Sequence, residues 1–177
     1  MSTNPCAPPP RAAAPFARLL DTVRIPWALL LLLLIPLGAC ARSAEQRRAG
    51  EEAIERAVRA YLVRMSEAYL AEDAGRLDGV ATLREMGGLE RRLEELGVEG
   101  RRLEPTLVEA VVEEINRYDA TNATVRMLER WDLRVVDRGS GTVLSESLGQ
   151  SNRVAYHLVR ERGEWLVLFR QLQQTVE

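Results

Sequence analysis

The segment from Val125 to Val135 alternates between apolar and polar side chains, and this pattern limits the folds that the chain can adopt. A repeat of two is typical of a β-strand with one face on a hydrophobic core and the other in water. The apolar face is interrupted once, by Glu129. The pattern therefore predicts a half-buried strand whose inner face carries Val125, Met127, Glu129, Trp131, Leu133 and Val135.

Helical periodicity dominates the residues before this strand. Apolar side chains from residue 51 onward recur every three or four positions, which predicts a first helix that ends near Gly75. Residues 76–84 predict a short second helix, and a third helix follows Gly87 and Gly88 and stops at Gly97 or Gly100. The side chains that define the first helix are Ile54, Val58, Tyr61, Leu62, Met65 and Tyr69.

Strand and turn signals dominate the residues after Pro105. Residues 106–112 are rich in β-branched side chains and predict a first strand, with a helix as the alternative, and residues 118–122 predict a turn. A second turn is expected at 137–141, a third strand at 154–160 and a fourth at 165–172. Helices followed by an antiparallel meander predict an α+β fold, with the helices against one face of the sheet.

An apolar run from Ile25 to Cys40 follows the basic residues Arg18 and Arg24. A positive segment, a short apolar core and small residues before a cleavage site are the parts of a secretory signal. The run is marginally short for a membrane span and contains two prolines. An uncleaved transmembrane anchor is the alternative to a signal peptide.

The run closes with Leu37-Gly38-Ala39-Cys40, which resembles the lipobox of bacterial lipoprotein precursors. The resemblance implies signal-peptidase recognition through Leu37, Gly38 and Ala39, cleavage after Ala39, and attachment of fatty acyl chains such as palmitate to Cys40. Several acyl chains make a stable membrane anchor. We therefore expect a signal peptide over 1–39, a lipidated tether over 40–50 and one α+β domain over 51–177. The protein would face away from the cytoplasm in the cell envelope, on the outer membrane if the cell is Gram-negative.

Composition excludes several classes of function. All 24 basic side chains are arginine, and the formal net charge is −2, so nucleic acid is not expected as a partner. The cysteines are Cys6 and Cys40, and Cys6 lies in the segment expected to be removed, so the fold must be stabilised by packing. We find no nucleophile motif, no phosphate-binding glycine loop and no metal-ligand cluster in the sequence, and we predict no cofactor and no metal.

The tail of the sequence resembles the nuclear transport factor 2-like superfamily. The similarity rests on 123–125, 129–131, 152–158 and the Gly163-Glu164-Trp165 hairpin. Within this superfamily, the tail is most similar to the intermembrane-space domain of a plastid-division protein. That domain is noncatalytic and binds partner proteins. The resemblance implies a curved sheet wrapped around helices to form a cone. Members include isomerases, dehydratases, ligand carriers and interaction domains, so fold alone does not fix a function.

Two residues are candidates for acid–base chemistry. Burial of Glu129 would raise its pKa toward the range useful for a general acid or base, whereas the alternative is a carboxylate in water or paired with arginine. His157 is the single histidine, and alternation places it on the face opposite Tyr156 and Leu158. A local bulge would be needed to bring His157 beside Glu129 or Asp132.

Two groups of side chains are candidates for binding. Aromatic rings could line a pocket between helix and sheet, with core packing as the alternative, and these rings are Tyr61, Tyr69, Trp131, Tyr156 and Trp165. Arg126, Arg130 and Arg134 form a stripe on the outer strand face. This stripe suits acidic proteins or lipid headgroups, or it is a solvated face interleaved with acids.

We therefore predict an envelope lipoprotein, anchored to the membrane, whose noncatalytic domain binds a protein partner or scaffolds a complex. A homodimer through the sheet face would be one such interaction. The alternative is a carrier of small apolar ligands, or a pocket enzyme of the isomerase or dehydratase type with Glu129 as the base. A cavity with Glu129 at its wall would favour the alternative, and a filled core with an exposed apolar patch would favour the interaction domain.

Overall fold

The computed structural model describes the backbone of residues 27–176 and the side chains of residues 44–175. Two helices and a four-stranded sheet follow one another along the chain. The elements are α1 (Trp27–Ala71), a 3₁₀ turn (Ala74–Leu77), α2 (Leu83–Val98), β1 (Arg101–Arg117), β2 (Asn122–Asp137), β3 (Val143–Glu161) and β4 (Glu164–Val176). This order confirms the predicted α+β class.

The described part of the chain separates into two units between Ala41 and Arg42. Arg18 and Arg24 of the predicted signal lie outside the described residues, and the structure describes only the helical backbone of Leu37-Gly38-Ala39-Cys40. No helix in the described part of the chain is long and apolar enough to cross a membrane. Lipid attachment at Cys40 and the division of the chain at residues 39 and 50 stay predictions.

Helix α1 has the apolar face that the spacing predicts. Ile54, Val58, Leu62 and Met65 are buried at intervals of three and four residues, so they lie on one side of the helix. The helix ends at Ala71 rather than near Gly75. Glu72 follows with a φ of 53°, a left-handed conformation that stops the helical hydrogen bonding.

The prediction of a short second helix over residues 76–84 is wrong. Residues 74–77 form a single 3₁₀ turn, residues 78–80 continue as a hydrogen-bonded turn, and Ala81 then makes a parallel bridge with Val167. Gly87 and Gly88 lie inside α2 and do not precede it. Each glycine costs roughly 1 kcal/mol relative to alanine in a helix, and burial of Leu89 and Leu96 on the inner face of α2 offsets this cost.

The strands form one antiparallel sheet in the order β1-β2-β3-β4. The stretch 106–112 is a strand, and both predicted turns are present. Strand β3 begins at Val143, well before the predicted start at Val154. Its first part is exposed and pairs with β2 alone, because β4 begins to pair with β3 only at Ser151.

One face of the sheet packs against the helices and forms the core. Strand β2 contributes Val125, Met127, Glu129 and Trp131 to this inner face, all less than a tenth exposed. Their neighbours Arg126, Arg130 and Arg134 are exposed on the outer face. The alternation in the sequence therefore marks the division between core and solvent as far as Leu133. Beyond it the prediction is wrong for Val135, because a register shift between Val135 and Val136 leaves Val136 buried and Val135 half-buried.

Candidate functional site

A cavity of about 400 Å³ lies between α1 and the inner face of the sheet. Helix α1 and all four strands contribute to its wall, which is mostly apolar. Three lining side chains are polar or charged: Glu129 on β2, Asn152 on β3 and Arg170 on β4. The apolar part of the wall includes Met65, Tyr69, Leu103, Trp131, Leu133 and Val154. The volume of the cavity falls in the range of roughly 300–1,000 Å³ that is typical of small-molecule sites.

Glu129 is held in place by two uncharged donors. Its side chain is 1% exposed. The indole Nε1–H of Trp131 donates a hydrogen bond to Oε2 at 2.9 Å, and the hydroxyl of Tyr156 donates to Oε1. The alternative in which Glu129 lies in water or pairs with an arginine is therefore wrong. Each carboxylate oxygen accepts one bond from the protein and retains a second lone pair for a ligand.

Burial raises the pKa of Glu129 above its ordinary value of 4.5. The hydrogen bonds from Tyr156 and Trp131 act in the opposite direction, because they stabilise the carboxylate, and the positive charge of Arg170 does the same. The pKa of Glu129 is therefore closer to neutral pH than that of an exposed glutamate. A group in this state can exchange a proton with a bound molecule.

A second tyrosine, Tyr61, packs against Tyr156 and helps to fix its position. Tyr61 of α1 packs edge-on against Tyr156, with ring centroids 5.8 Å apart, and donates a hydrogen bond to Oε1 of Glu85 at 2.6 Å. Burial raises the pKa of both phenols well above 10.0, so both hydroxyls stay protonated and act as donors at neutral pH. The orientation of Glu129 is thus fixed by side chains that are themselves packed.

The five aromatic side chains of the predicted pocket separate into three groups. Tyr69 and Trp131 line the cavity. Tyr61 and Tyr156 are buried core side chains that act through their hydrogen bonds and are not part of its wall. Trp165 is buried elsewhere in the core, with the Arg160 guanidinium 6.0 Å from its ring centroid, and its place in the predicted pocket is wrong.

His157 and Glu129 are not brought together. Thr124, His157 and Phe169 lie opposite one another on three strands, whereas Glu129 lies opposite Asn152. His157 stacks on Phe169 with ring centroids 4.2 Å apart, and its Nδ1 shares a hydrogen bond with the Thr124 hydroxyl at 3.2 Å. The ring is half-buried on the face opposite Tyr156, so the acid–base pair of His157 with Glu129 or Asp132 does not form.

The arginine stripe on the outer face is largely paired. Arg130 lies 3.1 Å from Glu109, Arg134 lies 2.5 Å from Glu146, and Arg126 contacts Glu114. All of these side chains are between a third and three-fifths exposed. The stripe is therefore interleaved with acids, which is the solvated-face alternative.

Two polar residues of the cavity wall were missed by sequence reasoning. Asn152 faces Glu129 across the β2–β3 pair, and its Oδ1 is buried without a hydrogen-bond partner among the described residues. Arg170 faces Tyr156 across the β3–β4 pair. Asn152 falls just before the predicted third strand, and Arg170 lies within the predicted fourth strand. No group of three or more potential metal ligands occurs within residues 44–175.

Solved structures share this fold. The intermembrane space region of the chloroplast protein ARC6 matches with a TM-score of 0.57 and 16% identity, over 68% of this chain and 94% of that chain. A ketosteroid isomerase-like protein from Erwinia carotovora atroseptica matches with a TM-score of 0.47 and 16% identity, over 67% and 91%. A cystatin-like protein of unknown function from Nostoc punctiforme matches with a TM-score of 0.42 and 14% identity, over 67% and 88%.

No protein-family model matches the chain, and no curated protein sequence matches it. At identities this low, the structural likeness establishes fold and not activity. Helices packed on an open four-stranded antiparallel sheet confirm the arrangement that the tail of the sequence resembles. The chain therefore has the nuclear transport factor 2-like α+β fold.

Proposed function

We propose that the folded domain binds a small, largely apolar molecule in the cavity beside Glu129. The observation that carries the proposal is the buried carboxyl at the wall of an apolar cavity, oriented by Tyr156 and Trp131. A filled core would have had no room for a ligand. Apolar walls supply affinity by burying the body of the ligand, and the few polar groups fix its orientation.

Glu129 would contact a polar group of the ligand. Its two protein donors occupy one lone pair on each oxygen, so a ligand hydroxyl can donate to a remaining lone pair. The raised pKa of the carboxyl also suits proton exchange with a ligand. We propose binding as the function and treat proton transfer as chemistry that the same geometry permits.

Trp131 provides a direct test because its indole both lines the cavity and bonds to Glu129. Octanol would be titrated into the full chain while the indole N–H signal of Trp131 is followed by NMR, with Trp131→Phe used for assignment. We expect a saturable shift. Leu133→Trp should fill the cavity and abolish the shift, whereas Leu148→Trp, at an exposed position, should preserve it. A shift that does not saturate, or that survives Leu133→Trp, would contradict the proposal.

We propose further that the domain is held at the envelope membrane by acyl chains on Cys40. Support comes from the lipobox-like Leu37-Gly38-Ala39-Cys40 and the apolar run before it. Radiolabelled palmitate should enter the wild-type protein and be absent from Cys40→Ser. Equal labelling of the two proteins would rule out this anchor.

A scaffolding role is the second candidate, and a feature of β3 favours it. Leu144 and Leu148 are 52% and 66% exposed on the part of β3 that has no β4 neighbour. A protein partner or a second copy could cover them. Leu144→Ser with Leu148→Ser should release envelope proteins that co-purify with the wild type, or reduce self-association in sedimentation. Leu83→Ser, at a position 85% exposed on α2, is the control and should change neither. Unchanged co-purification and sedimentation in the double variant would contradict this role.

A further inference from the structure

We infer that the cavity selects ligands with a carboxylate head group, which Arg170 binds while the apolar body of the ligand packs against the rest of the cavity wall. This inference rests on the proposed binding function and specifies its ligand class. Arg170 is the cationic side chain among those that line the cavity. It lies on the edge strand β4 opposite the inward-facing Tyr156, and its positive charge acts on Glu129, so its guanidinium faces the cavity.

Arg170 differs from the arginines of the outer face because it has no ion-pair partner. Among the described residues, no carboxylate lies within ion-pair distance of its guanidinium, whereas Arg126, Arg130, Arg134 and Arg153 each have a glutamate partner. A guanidinium presents a planar set of N–H donors that matches a carboxylate in a bidentate pair. The donor set of Arg170 is thus available to a ligand.

Asn152 adds a second polar group to the same wall. Its Oδ1 is buried without a hydrogen-bond partner, although the side-chain amide could be reversed so that Nδ2 occupies this position. In either orientation the amide has hydrogen-bonding capacity that the described side chains and backbone do not meet. Buried polar groups usually find a partner, so the unmet group marks a place where a polar atom of a ligand can bind.

The charges of the cavity also determine the direction of the ligand. Glu129 is buried and offers no positive charge to a carboxylate, whereas Arg170 on the same cavity wall does. The acidic head group is therefore most stable beside Arg170. The chain of the ligand then extends past Glu129 toward the apolar side chains Met65 and Leu133.

A matched pair of probes tests the inference. Octanoate and octanol have the same chain length, and only octanoate is charged at pH 7. Both would be titrated into the full chain with the Trp131 indole N–H as the signal. We expect the wild type to bind octanoate roughly tenfold more tightly than octanol, because a hydrogen bond to a charged group contributes more than a neutral one.

Three variants separate the guanidinium from the overall charge. Arg170→Gln should remove the preference for octanoate and change octanol affinity less than threefold. Arg170→Lys should retain part of the preference, because it keeps the charge but not the planar donor set. Arg153→Gln removes the same charge from the outer face, where Arg153 pairs with Glu113 at 3.0 Å, and should leave the preference unchanged.

The failures of the two proposals differ. If octanol binds and octanoate binds no more tightly, the inference about Arg170 is wrong and the proposed cavity function stands. If Arg170→Gln and Arg153→Gln reduce the preference equally, general electrostatics explains the preference and the inference is again wrong. If neither probe gives a saturable shift in the wild type, the cavity function itself fails.

Discussion

The two faces of the sheet carry the same kinds of charged residue in opposite environments. On the outer face, Arg130 and Glu109 lie directly opposite each other on β2 and β1, about half exposed, with 3.1 Å between Nη2 and Oε2. On the inner face, Glu129 is 1% exposed and is held by Trp131 and Tyr156. Glu129 and Arg130 are adjacent in sequence, yet water solvates Arg130 whereas fixed protein groups surround Glu129.

This difference separates the residues that build a site from those that cover a surface. Exposed ion pairs contribute little because water solvates each partner almost as well. A buried carboxyl has lost its water, so every group around it changes its pKa and its orientation. We therefore expect substitutions on the inner face to have large effects on stability and on ligand binding, and matched substitutions on the outer face to have small ones.

The largest contrast is expected between two adjacent positions of β2. Met127 is fully buried on the inner face, so Met127→Ala should reduce the free energy of unfolding by roughly 2–5 kcal/mol through lost burial and the space left behind. Arg126→Ala removes a longer side chain from the outer face and should cost well under 1 kcal/mol. Urea denaturation of both variants measures the contrast. Equal losses would show that the two faces are not energetically distinct.

The next effect concerns the hydrogen bond from Tyr156 to Glu129. Tyr156→Phe removes the donor and leaves a buried carboxylate oxygen without a protein partner, which should lower the free energy of unfolding by roughly 1–3 kcal/mol. Tyr118→Phe is the matched control, because Tyr118 is 69% exposed and should tolerate loss of its hydroxyl. Thermal and urea unfolding check the prediction. A stable Tyr156→Phe protein would mean that Glu129 is satisfied without this bond.

The pH dependence of stability should show the environment of Glu129 directly. Its pKa in the fold is raised above 4.5, so the neutral carboxyl is the form that the fold favours. The contribution of Glu129 to stability is therefore fully present below about pH 4.5 and is lost as the pH rises through the folded pKa. The slope from this one group cannot exceed about 1.4 kcal/mol per pH unit. Glu129→Gln should remove this part of the slope, measured by urea unfolding between pH 4 and 8.

Asp119 provides the control with the opposite sign. The backbone N–H of Thr121 donates to its carboxylate at 2.6 Å, and this bond is the main reason that the pKa of Asp119 is lowered from 3.8 to about 2. Stability from Asp119 is present above pH 3.8 and is lost as the pH falls toward 2. Asp119→Asn should therefore change the slope of stability against pH only in this acidic range and lower stability by a constant amount above it. A changed slope between pH 5 and 8 in Asp119→Asn would invalidate the assignment of that slope to Glu129.

The fold could be predicted wherever one face of an element is apolar. The helical spacing in α1 and the alternation in β2 both reflect burial, and they are confirmed, in β2 as far as Leu133. Residues 143–153 at the start of β3 form a strand that is mainly exposed on both faces, so they carry no such record. Gly87 and Gly88 indicate a break from their intrinsic preference, but the packing of α2 overrides that preference.

The site could be predicted only in part, because its geometry depends on long-range contacts. Glu129 is conspicuous as an acid in an apolar strand, but its donor Tyr156 comes from a different strand, 27 residues away. Arg170 falls within the predicted fourth strand, and strict alternation from the buried Trp165 and Val167 would place it on the solvent face. A bulge in the β3–β4 pair, where His157 faces Phe169 and Leu158 faces Val167, shifts the alternation by one residue and turns Arg170 inward.

The smallest expected effect is the coupling between Arg130 and Glu109 on the outer face. A double-mutant cycle with Arg130→Ala and Glu109→Ala isolates this pair, and we expect an interaction free energy of about 0.2–1 kcal/mol. Screening by salt should reduce it further, since both side chains are about half exposed. Urea unfolding at low and high salt provides the measurement. A coupling of several kcal/mol that persists in high salt would mean that the outer face has little access to water, which is the result expected if another protein or a second copy covers it.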